Sequence, residues 1–463
     1  MATRVPWLKQ RKALIGLALL DSGVLVPVYN LLFWQQIGRW PGISGAVGAL
    51  VVIWTTFSYL LGRYSNGKEN KSIASLAIVA LIVTTLTVGA VWLGVKGDAR
   101  TLPQFLLPLL VVSGAISTVL AKSINRNTRQ RDRWLLIASK AEQRIVDEEV
   151  RRGSSDHLLI VSCSEDAEIQ EKLKTCNQEV GIAISEEIKL DDKTIEQLLT
   201  RRSKGQQVMK LTDWFESRFQ LMPPELLSRE WIVMADGFRL QPDQFSWRLK
   251  RLGDISFALF LLLITSPLAL VAAILIKLED GGPILYSQIR TGQYEQQFRI
   301  WKLRSMRPNS EQDSAQWATK NDPRITRVGQ VLRKLRIDEL PQLINVLKGE
   351  MSLIGPRPER PELERQLEAT IDHYRVRHWI RPGLSGWAQV SYNYGASVED
   401  SRIKLGYDLY YLRNFSAWLD LLVLLKTIRL ISNGKGASPS DKARKQICLH
   451  SKSKSGQRTS IKG

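Results

Sequence analysis

The chain is organised around the stretch DPRITRVGQVLRKLRIDELPQLINVLKGEMSLIGPRPE, which spans residues 322–359. Apolar residues at helical spacing predict two amphipathic helices within it, the first over residues 326–336 with a basic opposite face. The second helix begins near Pro341, which a first helical turn tolerates, and ends at Gly349. The predicted apolar faces consist of Val328, Val331, Leu332 and Leu335 in the first helix and Leu340, Leu343, Ile344 and Leu347 in the second.

Two carboxylates, Asp338 and Glu339, lie between these helices. An aspartate directly before a helix is commonly its N-cap, and for an isolated D-E-L-P sequence that is the ordinary interpretation. Alternatively, the pair acts on a phosphate, because a helix N-terminus offers free N–H groups to anions. Arg333 precedes the pair and Arg357 follows it in the stiff turn Gly355–Pro358, so both could bind a diphosphate beside a divalent metal.

Net charge narrows the class of partner. The 463 residues carry 65 Lys and Arg against 45 Asp and Glu, a net charge of +20. Such an excess predicts anionic partners, namely phosphates, anionic lipid or nucleic acid. Long apolar runs favour a membrane and disfavour nucleic acid. The three cysteines, Cys163, Cys176 and Cys448, form no CxxC pair, so we expect reduced thiols rather than disulfides or a zinc site.

Four apolar segments follow a basic N-terminus, and each is close to the roughly 20 residues that cross a bilayer. They lie near residues 13–33, 44–62, 73–95 and 103–121. The first is too long for a cleaved signal peptide and has no small-residue cleavage site. Basic residues concentrate before the first segment and after the fourth. The positive-inside rule therefore predicts a four-helix transmembrane unit, residues 1–133, with both ends in the cytoplasm.

Residues 134–240 predict a soluble α/β domain. Short apolar runs, such as WLLIAS at 134–139 and HLLIVSC at 157–163, alternate with polar, helix-prone stretches. That alternation is typical of a parallel βαβ sheet. No GxGxxG follows the first run, so we expect no dinucleotide site and interpret the domain as structural, regulatory or involved in assembly.

Further motifs cover the C-terminal two-fifths of the chain. They are KRLGD at 250–254, GGPILYSQIRTGQ at 281–293, FRIWKLRSM at 298–306, RPGLSGWAQV at 381–390 and KLGYDLYYLRNFSAWLDLLVLLKT at 404–427. Together with residues 322–359 they resemble the bacterial sugar transferases, the polyprenyl-phosphate hexose-1-phosphate transferases that initiate exopolysaccharide, capsule and O-antigen synthesis. Long members of that family imply a fold of membrane α plus α/β class: four transmembrane helices, a Rossmann-like domain and a mostly helical catalytic domain.

Residues 252–278 are apolar and long enough to span a bilayer, but Ser266 and Pro267 interrupt the middle. Both flanks are basic, and a full span would place the following domain outside the cell, where nucleotide sugars are scarce. We therefore predict a re-entrant helix that breaks at Ser266-Pro267 and returns, as the family resemblance also implies. A proline-kinked true span is the alternative. We predict that the re-entrant helix and the transferase domain together occupy residues 241–431. The composition of residues 432–463 predicts a disordered basic tail.

The resemblance implies the reaction. A hexose 1-phosphate would move from a UDP-sugar to polyprenyl (undecaprenyl) phosphate, with release of UMP, through a covalent phosphosugar intermediate on Asp338. Glu339 would be a metal ligand or a base, and Mg²⁺ or Mn²⁺ would bind Asp338 and Glu339. The implied phosphate- and nucleotide-binding residues are Arg333, Arg357, Lys302, Arg304, Arg381 and Gln389. Two departures from the family pattern, Ile337 for Leu and Ser385 for Thr, remove no catalytic group.

Three other functions compete with this one. A membrane glycosyltransferase that moves the sugar without its phosphate would release UDP. A non-catalytic membrane scaffold for polysaccharide assembly would not need the carboxylates and arginines. A nucleic-acid binder would show steeply salt-dependent affinity for DNA without lipid. The favoured enzyme would lie in the bacterial inner membrane with its catalytic domain in the cytoplasm. A homodimer is compatible with the sequence, and the hexose is left open between glucose, galactose and others.

Overall fold

A computed structural model provides the structure of the chain. It describes residues 12–40, 42, 45–60, 109, 132–153, 158–177, 179–238, 245–307, 322–392 and 397–432. The chain divides into two compact units, residues 1–219 and residues 220–463. The candidate site lies in the second unit.

The described part of the first unit begins with two apolar helices, α1 (Lys12–Ile37) and α2 (Gly45–Leu60). They share a buried cluster that consists of Leu25, Tyr29, Val47, Leu50, Trp54 and Leu109. These helices coincide with the first two of the four apolar segments predicted to cross a membrane. The segment 73–95, and all of 103–121 except Leu109, lie outside the described residues. The four-helix transmembrane unit therefore stays a prediction.

The described residues of the first unit from 132 onward contain a four-stranded parallel sheet with strand order β2-β1-β3-β4. Its strands are β1 (Asp132–Ile137), β2 (Leu158–Cys163), β3 (Gly181–Ile184) and β4 (Val208–Lys210). Its helices are α3 (Lys140–Gly153), α4 (Asp166–Thr175), α5 (Asp192–Ser203) and α6 (Leu211–Phe219). Leu135, Ile137, Ile169 and Ile182 are buried together, so strands and helices alternate around one apolar core, as the sequence predicts.

Residues 220–238 pack within the second unit. They contain a 3₁₀ turn (Pro224–Leu226) and α7 (Arg229–Met234). The indole N–H of Trp387 donates to the carbonyl of Gln220, and the N–H of Met222 donates to the carbonyl of Gly406. The boundaries predicted from sequence at residues 133, 240 and 431 stay predictions.

The longest helix described in the second unit is α8, Phe245–Asp280, with 36 residues. It runs without interruption through Ser266 and Pro267, whereas the sequence predicts a break there. Proline removes one backbone hydrogen bond and permits a bend, but the neighbouring turns retain theirs. Among the described helices, its residues Trp247–Asp280 form the one that is long and apolar enough to cross a membrane.

Both halves of α8 pack against other residues of the second unit, whereas the middle of the helix is exposed. Ala258 lies in a buried cluster with Leu343 and Val346. Ala272 and Ile276 lie in a second buried cluster, which contains Leu303, Leu332 and Ile337. Between the two clusters, Leu263 is 76% exposed and Leu270 is 64% exposed. The exposed middle leaves an apolar surface around the predicted helix break.

The other described elements of the second unit are a hairpin, a second pair of strands and further helices. Strands β5 (Leu285–Thr291) and β6 (Gln297–Leu303) are antiparallel and joined by a 3₁₀ turn (Gln293–Glu295). Strands β7 (Ser352–Ile354) and β8 (Gly383–Ser385) pair in parallel. The remaining elements are α9 (Arg327–Leu335), a 3₁₀ turn (Ile337–Glu339), α10 (Gln342–Lys348), α11 (Pro361–Glu368), a 3₁₀ segment (Tyr374–Trp379), α12 (Trp387–Ser391), α13 (Val398–Arg413) and α14 (Ala417–Ser432).

The two helices predicted within 322–359 are α9 and α10. Thr326 caps α9 by accepting from the N–H of Gly329, and Gly349 ends α10 with a φ of 90°. The predicted apolar faces are too broad. Val331, Leu335 and Ile344 are exposed. Residues one helical turn apart share a stripe, and in α9 the stripe that meets α8 contains Val328 and Leu332.

Candidate active site

Asp338 and Glu339 lie in the 3₁₀ turn between α9 and α10. Arg336, with a φ of 60°, ends α9 in the left-handed conformation and reverses the chain just before the pair. The N-cap position of α10 is Pro341, and no side chain caps that helix. The interpretation of Asp338 as an N-cap is therefore wrong. Helix α10 begins one turn later than that interpretation requires.

Both carboxylates are buried, each with about 7% of its residue surface exposed. Asp338 Oδ1 has no hydrogen-bond partner among the described residues. Burial, followed by the negative charge of Glu339, raises the pKa of Asp338, while Lys302 and Arg333 oppose that shift. A buried carboxylate oxygen without a donor is poorly solvated, so a bound cation or electrophile would gain from contact with it.

Three cations surround Glu339. Arg357 Nη2 lies 2.7 Å from Glu339 Oε1, Arg336 Nη1 lies 3.3 Å from Oε2, and Lys302 Nζ lies 3.7 Å from Oε1. Burial alone would raise the pKa of Glu339, but the charges of Arg357, Arg336 and Lys302 outweigh it and hold the pKa well below the usual range. Glu339 is therefore an anion at neutral pH.

Lys302 reaches the site from β6, where its backbone pairs with Tyr286 of β5. Burial lowers the pKa of Lys302 to about 8, although Glu339 opposes the shift. The nearby charge of Arg357 lowers the same pKa further. The ammonium group therefore titrates much closer to neutrality than that of a surface lysine, and a second anion near it would favour its charged form.

Arg357 reaches the site from the turn that follows β7. The N–H of Gly355 donates to the carbonyl of Ser385 and the N–H of Gly383 donates to that of Pro356, so the turn is tied to β8 on both sides. A side chain at Gly355 has no room, because a Cβ there would lie 2.5 Å from the carbonyl oxygen of Arg381. The close approach of two backbones thus requires glycine before the proline-rich turn.

The structure brings together five of the predicted residues. Lys302, Asp338, Glu339 and Arg357 form one cluster, and Arg333 acts on Asp338 through its charge. The other three predicted residues lie elsewhere. Arg304 pairs with Asp280 at the end of α8. Arg381 and Gln389 make no ion pair or hydrogen bond to Asp338 or Glu339 in the part of the chain described; Gln389 Nε2 instead donates to the carbonyl of Leu384 at 3.4 Å.

Two arginines of the site carry no role in the sequence prediction. Arg336 forms an ion pair with Glu339. Its position two residues before Asp338 could have identified it as a site residue from the sequence. Arg290 of β5 is half-buried, donates to the carbonyl of Pro358 at 3.2 Å and lies 3.7 Å from Glu359. Nothing in the local sequence relates Arg290 to a turn that lies 68 positions away.

The described residues contain no group of three or more His, Cys, Asp or Glu side chains that could hold a metal on their own. Two adjacent carboxylates nevertheless suit Mg²⁺, because this ion commonly takes one or two carboxylates and completes its shell with water and substrate phosphate oxygens. The unpartnered Oδ1 of Asp338 is an oxygen of the right kind.

Comparisons with known proteins find bacterial sugar transferases. A family model described as "Bacterial sugar transferase" matches residues 245–434. The UDP-N-acetylgalactosamine-undecaprenyl-phosphate N-acetylgalactosaminephosphotransferase of Aeromonas hydrophila is 54% identical over 189 residues, which are 41% of this chain and 45% of that protein. The undecaprenyl-phosphate glucose phosphotransferase of Komagataeibacter xylinus is 31% identical over 371 residues, 76% of this chain and 63% of that protein.

A third relative is covered more fully. The UDP-glucose:undecaprenyl-phosphate glucose-1-phosphate transferase of Caulobacter vibrioides is 42% identical over 181 residues, which are 39% of this chain and 68% of that protein. The chain spans less than two thirds of the length of the Aeromonas and Komagataeibacter relatives. The similarity to the Komagataeibacter protein exceeds the length of residues 245–434 and so includes part of the chain outside the family match.

Proposed function

Because the chain belongs to the bacterial sugar transferase family, we propose that it transfers a hexose 1-phosphate from a UDP-sugar to polyprenyl phosphate and releases UMP. The observation that supports the proposal is that two adjacent buried carboxylates have different surroundings. Asp338 is buried with an unpartnered oxygen, while Glu339 beside it is held by three cations. The product would begin the repeat unit of an exopolysaccharide, a capsule or an O-antigen.

In the first half-reaction, a carboxylate oxygen of Asp338 attacks the phosphorus that bears the sugar. The bond between that phosphorus and the bridging oxygen breaks, and UMP leaves with the electron pair. The sugar phosphate is then an acyl phosphate on Asp338. Burial favours this step, because a carboxylate that has lost its hydration is not shielded from the phosphorus by ordered water.

In the second half-reaction, an oxygen of polyprenyl phosphate attacks the same phosphorus. The acyl phosphate bond breaks, the Asp338 carboxylate is restored, and the lipid leaves as a diphosphate sugar. Both substrates are anions, so each step needs fixed positive charge at the phosphates. Lys302, Arg333, Arg336 and Arg357 would supply it from four positions around the pair. Mg²⁺ or Mn²⁺, bound by Asp338, Glu339 and the diphosphate, would add Lewis-acid stabilisation.

Glu339 suits the role of a metal ligand and charge anchor better than that of a general base. A base that accepts a proton near neutrality needs a pKa near the working pH. The three cations lower the pKa of Glu339 instead. Its carboxylate would keep Arg357 and Lys302 in place until the diphosphate arrives and competes for them.

The lipid acceptor requires the site to be near a membrane. Ile337, the residue before Asp338, is buried with Ala272 and Ile276 of α8. The helix with an exposed apolar middle therefore packs directly behind the catalytic turn. We propose that α8 enters the cytoplasmic leaflet of the bacterial inner membrane, stays helical through Ser266-Pro267 but bends there, and returns to the cytoplasmic side. We also propose that four N-terminal helices anchor the chain.

The identity of the released nucleotide tests the proposal. Full-length protein in lipid is incubated with polyprenyl phosphate, Mg²⁺ and one of UDP-glucose, UDP-galactose or UDP-N-acetylgalactosamine; two of these sugars appear in the names of the relatives. We expect UMP from at least one donor, its loss in Asp338→Asn and its retention in Asp372→Asn, an exposed acid of the same unit. UDP as product would indicate a glycosyltransferase, and no nucleotide from any donor would favour a scaffold.

A further inference from the structure

A second cluster of buried ionisable groups lies behind Arg357. It consists of Arg377, His378 and Tyr374 of the 3₁₀ segment, Glu364 of α11 and Asp408 of α13, and each is less than a tenth exposed. None of these residues belongs to the proposed chemistry, and none carries a motif-based role. Side chains of α11 and α13 thus meet the guanidinium group of Arg377 from two sides.

Arg377 joins this cluster to the active site. Its Nη2 donates to the backbone carbonyl of Arg357 at 2.9 Å and lies 3.2 Å from Asp408 Oδ2. Its Nη1 donates to the hydroxyl of Tyr374, and the guanidinium lies 5.0 Å from the centre of that ring. The planar fork of arginine allows these directions at once, which the single ammonium of a lysine does not.

The charges around Arg377 fix its orientation. Asp408 lies on one side, and Glu364 Oε1 lies 4.0 Å away from Nη1. His378 Nε2 lies 3.5 Å from the same Glu364 oxygen. Burial and the charge of Arg377 lower the pKa of His378 to about 3, so its imidazole is neutral. Arg377 thus lies between two buried carboxyl groups, and that of Asp408 is the nearer.

The backbone of Arg357 matters because its side chain must meet Glu339 at 2.7 Å. Backbone bonds to β8 hold Gly355 and Pro356, and the N–H of Thr291 donates to the carbonyl of Glu359. These bonds lie on either side of Arg357. Its own carbonyl accepts from Arg377. Removing that donor would leave a half-buried carbonyl unpaired and free the turn to rotate at the residue that carries the catalytic guanidinium.

We propose that Arg377 is a positioning residue that holds Arg357 against Glu339, and that Asp408 holds Arg377 in turn. The inference rests on the proposed function, because it assigns Arg357 to the reaction. It predicts that the network acts through geometry: loss of Arg377 changes the charge cluster around Glu339 although, among the described residues, neither Arg377 nor Asp408 bonds to Asp338 or Glu339.

The experiment uses full-length protein with Arg377→Lys and Asp408→Asn, and Arg375→Gln as the matched control. Arg375 belongs to the same 3₁₀ segment but is exposed and pairs with surface acids. Two quantities are measured in folded protein of unchanged melting temperature: the kcat and KM of UMP formation, and the rate at which phenylglyoxal modifies Arg357, read by peptide mass spectrometry.

We expect Arg377→Lys and Asp408→Asn to lower kcat about 10- to 100-fold, as the loss of an outer partner commonly does, with a smaller change in KM. Arg357 should react faster with phenylglyoxal in both variants and at the wild-type rate in Arg375→Gln. Wild-type labelling of Arg357 in either folded variant would overturn the proposal, and Asp408→Asn serves if Arg377→Lys does not fold. Labelling does not depend on turnover, so a wild-type protein without UMP release would count against the proposed function alone.

Discussion

Arg357 donates through Nη2 to Oε1 of Glu339 at 2.7 Å, across 18 positions of sequence. The bond links the turn after β7 to the turn between α9 and α10, so two short irregular segments form one charged site. It leaves the neighbouring carboxylate, Asp338, with an oxygen that no described side chain or backbone group satisfies. The different roles proposed for the two acids rest on this difference in partners.

The side-chain length and the planar guanidinium group of Arg357 should be essential to activity. We expect Arg357→Lys to lower kcat/KM for the UDP-sugar on the order of 100-fold, because a lysine cannot present two parallel donors to Glu339 or to a phosphate. Arg365→Lys, at an exposed position of α11, is the control and should retain wild-type kcat/KM. Activity of Arg357→Lys within threefold of wild type would contradict the assigned role.

The titration of Lys302 should set the upper pH limit of activity. Burial lowers its pKa to about 8, so its positive charge is lost as the pH rises through that value. We expect kcat/KM to fall above about pH 8 in the wild-type protein. In Lys302→Arg the charge persists, and the fall should move to higher pH or disappear even if the maximum rate is reduced. The same basic limb in both proteins would mean that another group titrates.

Glu364 should make stability depend on pH. Burial raises its pKa to about 7, above the value in an unfolded chain, so the folded state binds more protons than the unfolded state between about pH 4.5 and 7. Its contribution to stability is therefore present at low pH and lost as the pH rises through 7. We expect the melting temperature to fall between pH 5 and 8 in wild type and to fall less in Glu364→Gln. An equal fall in both would show that Glu364 does not retain its proton.

The path of α8 can be tested by thiol labelling. Single cysteines replace Arg248 and Lys277, exposed residues near the two ends of the helix, in a protein whose three native cysteines are serines. A helix that returns to the cytoplasmic side places both thiols there, so a membrane-impermeant maleimide should label both in inverted vesicles and neither in right-side-out vesicles. Labelling of the two positions from opposite sides would identify a true span.

Local sequence patterns predicted the helices that frame the site and the residues that end them. Thr326 and Gly349 act through neighbours within a few positions, which periodicity and cap preferences describe well. The same reasoning could not exclude the N-cap interpretation of Asp338. Its exclusion depends on the left-handed turn at Arg336 and on the packing of Ile337 against α8, and both follow from tertiary structure.

Lys302 and Arg304 show a different limit. Both residues lie in the FRIWKLRSM stretch, and the family resemblance implied that both bind phosphate or nucleotide. Strand β6 ends at Leu303, and Arg304 pairs with Asp280 instead of Glu339. The cluster around Arg377 was beyond sequence reasoning altogether, since its members come from α11, a 3₁₀ segment and α13, and each alone resembles an ordinary surface charge.

The most direct measurement of the central claim is exchange of labelled UMP into the UDP-sugar in the absence of polyprenyl phosphate. In the proposed mechanism a covalent phosphosugar on Asp338 would form before the lipid is needed, and UMP could attack its phosphorus and regenerate the donor. We expect exchange by the wild-type protein and none by Asp338→Asn. A wild-type protein that forms the lipid product at full rate but shows no exchange, or an Asp338→Asn protein that still exchanges, would contradict it.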